Sequence, residues 1–163
     1  MILTTISLGI YIVYNIISIC KLKDFPKCLS ETFYLFPKWV FPLVMTLIGL
    51  TILPVWIELL EGSNFQFLSF LTCVTIILVG FAPDYKDNSE YTIHSICACI
   101  ACIASIISII VVMETLNVLI TILIVTFLTM FMLQGLKETK RIWLYLLEHV
   151  MFLSIFMSIF YKL

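Results

Sequence analysis

Apolar runs of about 20 residues follow one another along this chain with only short polar breaks. Each is long enough to cross a hydrocarbon core of about 30 Å. Inside lipid a backbone must satisfy its own N–H and C=O groups, which leaves helices and closed barrels as spanning forms. The runs here are continuous, whereas barrel strands alternate apolar and polar residues over about 10 positions. The expected fold is therefore all-α, a bundle of transmembrane helices. Charged residues are 12% of the chain and hydrophobic ones 63%. Soluble domains carry about 25% charged residues, so nothing is left over for one. With a net charge of −1 there is no basic field for nucleic acid.

Six spans with short loops are expected, at about 3–20, 37–60, 65–82, 91–113, 116–134 and 141–161, forming one domain over 1–163. Phe25-Pro26 stops the first. Pro37 fits the first turn of the second, and Pro42 and Pro54 within it predict a kink. Trp39 and Trp56 lie about 25 Å apart at helical rise, which suits two interfacial aromatic belts. The first run lacks a basic n-region and a following cleavage site, so it is expected to span rather than be removed.

Lysine and arginine concentrate on one side. Lys21, Lys23, Lys27, Lys38, Lys86, Lys137, Lys140 and Arg141 lie in or beside alternate loops, against Lys162 opposite. That bias makes loops 21–36, 83–90 and 135–140 cytoplasmic and puts both termini outside; a bacterial inner (plasma) membrane is the expected location. Cys20, Cys28, Cys73, Cys97, Cys99 and Cys102 lie mostly within spans, with no histidine at zinc-finger spacing. There they are expected to pack as small apolar residues.

Ionisable residues inside a bilayer are costly and point to function. Glu148-His149 lies about 10–12 Å into the last span. Neighbours on a helix point about 100° apart, so one is expected to face a polar cavity and the other a neighbouring helix. The plainer alternative makes both interhelical hydrogen-bonding glue. His94 begins the fourth span, where the positive end of the helix dipole favours a neutral, proton-accepting imidazole. Asp84 and Asp87 precede it, and Ser30 and Glu31 lie in the facing connector. Convergence at the inner mouth would give candidate ligand contacts Ser30, Glu31, Asp84, His94, Glu148 and His149. For catalysis the candidates are Ser30, Asp84, His94, Glu148 and His149. A zinc ion on His94 and His149 would need a third protein ligand and an open position, and no H-x-x-x-H spacing supplies one. Otherwise the 83–90 loop is a solvated turn, with Asn88 or Ser89 capping the helix.

The fourth span carries small residues in two adjoining stripes: Ser95, Cys99 and Cys102 beside Ala98, Ala101, Ser105 and Ser108. Small side chains let helices approach closely in lipid, so this span is expected at the centre. Span five is bulky and apolar and should face lipid or a second subunit.

Two segments carry a family resemblance. Leu29-Ser30-Glu31-Thr32 precedes the second span, and a proline and an acidic residue precede His94-Ser95-x-x-Ala98. With the six-span layout, this pattern resembles small six-helix membrane proteins of the DRAM/Frag/Sfk type and their uncharacterised bacterial relatives. The resemblance implies a lipid-associated role without an established catalytic set, and it carries over Ser30, His94 and Ser95; Glu148-His149 stands outside it.

The functional expectation is a non-enzymatic membrane protein that binds lipid, or assembles with itself or a membrane partner, through a cytoplasm-facing polar pocket. The alternatives are an intramembrane metal-dependent lipid hydrolase and a small oligomeric channel or transporter.

Overall fold

The computed structural model describes residues 2–84, 87–113 and 140–162 of the 163-residue chain. The expected fifth span, 116–134, lies outside the described residues. Five α-helices run through the described part: α1 (Ile2–Leu22), α2 (Val40–Leu59), α3 (Gln66–Phe81), α4 (Asn88–Met113) and α5 (Lys140–Lys162). A 3-10 helix, Leu29–Leu35, occupies the connector before α2. No strand occurs among the described residues. All but α3 are long and apolar enough to cross a membrane. At 16 residues α3 is about 24 Å long, slightly short of a hydrocarbon core.

Helices adjacent in sequence pack side by side from α1 to α4, and α5 closes the arrangement against α4 and α1. Among the described elements the hub is α2, which touches α1, α3, α5 and the 3-10 helix. It is 44% buried against 33% for each of the other three long helices. Phe41, Met45, Ile48, Ile52 and Trp56 form its buried stripe. Among the described helices α2 thus takes the central place that was expected of α4. The close approach is made by glycines elsewhere. A methyl on Gly80 of α3 would fall 2.7 Å from Met45 Cβ, and one on Gly49 of α2 would fall 2.8 Å from Ile77 Cγ1.

On α1 the usual pattern is inverted. Its buried residues are Thr4, Ser7, Tyr11, Tyr14, Asn15 and Ser18, while Ile6, Ile12, Val13, Ile16 and Ile17 are exposed. A helix that turns polar groups inward and aliphatic ones outward suits a lipid surround, where polar contacts hold helices together. Ser7 Oγ donates to the Ile48 carbonyl at 3.4 Å, and Tyr145 of α5 donates to Asn15 Oδ1 at 2.9 Å.

Three local expectations change. Trp56 is wholly buried, whereas Trp39 is exposed, so only one of the pair can meet an interface. Pro37 forms a turn closed by Val40 N–H onto its carbonyl at 2.9 Å; α2 therefore begins three residues later, and Pro42 falls in its first turn, where a missing N–H costs nothing. The cap of α4 is Asp87, one residue before the expected pair. Its Oδ1 accepts from Ser89 N–H at 2.8 Å and Glu90 N–H at 3.4 Å. A carboxylate suits that place because it meets both the free N–H groups and the positive end of the dipole. Those bonds and the Ser89 hydroxyl hold the Asp87 carboxyl below its ordinary range.

Candidate functional site

The 3-10 helix is pinned by three side chains from two helices. Thr32 Oγ1 donates to the Leu29 carbonyl at 2.5 Å, so Tyr14 on α1 donates its hydroxyl to Thr32 at 2.6 Å. Lys21 donates its ammonium to the Leu35 carbonyl. From α5, Glu148 Oε2 accepts the Leu29 N–H at 2.5 Å. These contacts fix Ser30, which is buried in the first turn. The end of α3 and the start of α4 are tied to the same place. Tyr34 donates to Asp84 Oδ1 at 2.6 Å, and Glu90 accepts the Asp84 N–H at 3.0 Å.

Between these elements His94 is held by both ring nitrogens. Nδ1 lies 2.9 Å from the Ala82 carbonyl and Nε2 lies 2.8 Å from Ser30 Oγ. A carbonyl oxygen can only accept, so Nδ1 carries the proton of the neutral ring. Nε2 is then the acceptor, and the Ser30 hydroxyl donates to it. A residue from the connector and one from α4, 64 positions apart, thus form a directed pair.

That pair borders a cavity of about 260 Å³. Among the described residues, its polar end is Ser30, His94 and Glu148. Its walls come from Phe41 and Met45 of α2, Ile76 and Val79 of α3, and Leu144, Leu147, Met151, Phe152 and Ile155 of α5. A further wall is the small-residue face of α4: Ala98, Cys99, Ala101, Cys102 and Ser105. Those side chains were expected to pack against another helix. Between α4 and α5 they leave space instead, because they are too short to fill it. Cys99 and Cys102 stand at C-x-x-C spacing on this wall as free thiols. From His94 to Ser105 the cavity extends about 16 Å along the helix.

Of the other candidates, Glu31 pairs with Lys27 at 3.8 Å, Asp84 braces the loop, and His149 turns away from the cavity. His149 Nδ1 donates to the Tyr145 carbonyl at 2.8 Å, and its ring lies 5.3 Å from Tyr11 and 4.0 Å from Tyr145. Glu148 and His149 therefore serve different neighbours, in keeping with their 100° separation. Among the described residues no three His, Cys, Asp or Glu side chains come together as a metal site requires.

Sequence reasoning passed over Tyr14 and Ala82, which position Ser30 and His94. Tyr14 had a readable signal: Thr4, Ser7, Tyr11, Tyr14 and Ser18 recur at helical spacing in an otherwise aliphatic run. Ala82 had none, since it acts through its backbone.

Beside the site, burial pushes the Cys28 thiol up to about 11, with the nearby Glu148 carboxylate adding to the rise. It stays protonated at pH 7, so iodoacetamide should alkylate it roughly 100-fold more slowly than an unperturbed cysteine. Peptide mass spectrometry across a pH series checks this; rapid labelling at pH 7 would contradict it.

Comparison with family models, with characterised proteins and with solved structures returns no match.

Proposed function

We propose that this integral membrane protein binds a neutral amphipathic lipid, its hydrocarbon chain in the cavity and its polar head at Ser30, His94 and Glu148. The carrying observation is the cavity's division among the described residues: apolar side chains along most of its length, with Ser30, His94 and Glu148 at one end, while the hydroxyl of Ser105 at the other is engaged by the Cys102 carbonyl. A dry cavity of about 150 Å³ takes a benzene, so 260 Å³ holds a longer hydrocarbon segment. Leaving the bilayer for this cavity gains a chain little, because both surroundings are apolar. Selection therefore belongs to the polar end. Among the described lining residues none is Lys or Arg, so none of them offers a phosphate a counter-ion. A head rich in hydroxyl or amide donors fits the Glu148 carboxylate better, which has acceptor capacity beyond its bond to the Leu29 N–H. The lysine bias of the neighbouring loops supports a cytoplasm-facing mouth.

Native mass spectrometry of the chain released from mild detergent, with a monoacylglycerol added, tests the reading. One bound lipid is expected on the wild type. Ala98→Trp, which fills the cavity, should cut that occupancy at least 10-fold while the protein keeps its helical content. Equal occupancy in both proteins, or a wild type that neither retains the lipid nor releases its fatty acid, would refute it.

A further inference from the structure

We propose that Ser30 and His94 form a nucleophile–base pair that cleaves the carboxylic ester of the lipid held in the cavity, an inference that rests on the binding site above. A serine hydroxyl is a weak nucleophile until an adjacent base takes its proton, and that base must itself be held in place by a third group. All three parts are present: Ser30 Oγ lies 2.8 Å from His94 Nε2, and the Ala82 carbonyl holds Nδ1 at 2.9 Å. The carbonyl fills the orienting place an aspartate holds in the Ser-His-Asp arrangement. It fixes the tautomer in which Nε2 can accept.

Position supports the same chemistry. Ser30 and His94 stand where the apolar cavity meets its polar end. A lipid with its chain in the cavity brings its ester, the junction of chain and head, to that level. Glu148 lines the same end and can accept from a hydroxyl of a glycerol head. In the first half-reaction Ser30 Oγ attacks the acyl carbon while its proton passes to Nε2. The tetrahedral adduct then expels the alcohol oxygen, which takes that proton and leaves as the free alcohol. Water attacks the resulting acyl-serine as His94 removes one of its protons. Collapse releases the fatty acid and returns the proton to Ser30 Oγ. Water is the only co-reactant, and no redox change occurs.

The test uses an alkyl fluorophosphonate on the full chain in mild detergent, read by intact mass and peptide mapping, beside the monoacylglycerol measurement above. One covalent adduct on Ser30 is expected, with release of glycerol and fatty acid from the lipid. Ser30→Ala should abolish both the adduct and the release of fatty acid. His94→Gln should slow labelling at least 100-fold, the lower range for loss of a general base. Retained lipid with no adduct on wild-type Ser30 would overturn the catalytic pair and leave the binding site standing. Absence of both lipid and adduct would overturn the two together. Labelling that persists at an unchanged rate in His94→Gln would remove His94 from the reaction.

Discussion

Gly80→Val should part α2 from α3 and produce the largest loss of stability of any single change considered for this protein. The first added carbon would stand 2.7 Å from Met45 Cβ and 3.4 Å from Pro42 Cα. Neither atom can swing away on a rotamer, since one is fixed to the α2 backbone and the other belongs to it. Only a shift of one helix against the other relieves the contact. Overpacking of this kind costs about 1–3 kcal/mol, and more where backbone must move. At this chain length 3 kcal/mol corresponds to roughly 6–12 °C in Tm. Gly9→Ala is the matched control, because its new methyl meets nothing within 4 Å and alanine favours helix by about 1 kcal/mol. Thermal unfolding of both variants in one detergent provides the check. If Gly80→Val melts with the wild type, α2 and α3 do not meet closely at Gly80.

Glu148→Ala should loosen the 3-10 helix and, with it, Ser30. The substitution leaves the Leu29 N–H without its acceptor, where at present Glu148 Oε2 stands at 2.5 Å. An orphaned buried donor costs about 1–3 kcal/mol. Amide hydrogen exchange at Leu29 should then quicken by about 10- to 100-fold, and lipid retention should fall with it. Glu148→Gln keeps a carbonyl oxygen in place and should hold Leu29 exchange near the wild-type rate. The two variants separate roles: the hydrogen bond needs only an oxygen, whereas a contact needing the charge would be lost in both. Unchanged Leu29 exchange in Glu148→Ala would show that the carboxylate does not brace this turn. Taken with the fluorophosphonate experiment, the pair tells whether Glu148 acts on Ser30 through the backbone or on the bound lipid directly.

How far the residues alone could reach differs sharply between fold and site. Periodicity and run length placed α1, α3, α4 and α5 to within a few residues, since a bilayer demands long apolar segments whatever their neighbours. The start of α2 was misplaced by three residues because the Pro37 turn satisfies its bonds locally. The 3-10 helix was not anticipated at all. Its short run has no apolar period, and its shape depends on Tyr14, Lys21 and Glu148 arriving from α1 and α5. Trp56 illustrates the opposite error. Aromatic position along a helix suggested an interface, but rotation about the helix axis carried the ring into the core.

Among the candidate residues, type and location singled out Ser30, His94 and Glu148, because a polar side chain within an apolar run is legible by itself. The same logic selected Glu31, Asp84 and His149, which the bundle turns to bracing loops and packing on Tyr11. Sequence by itself determined an all-helical, membrane-suited chain and a short roster of polar residues within it. Tertiary structure alone decided which helix is the hub, that the small face of α4 borders a cavity, and that Ser30 meets His94. The physical reason is that hydrophobicity and helical period are local properties of a segment. A hydrogen bond between residues 64 positions apart depends instead on how separate helices rotate and settle against one another.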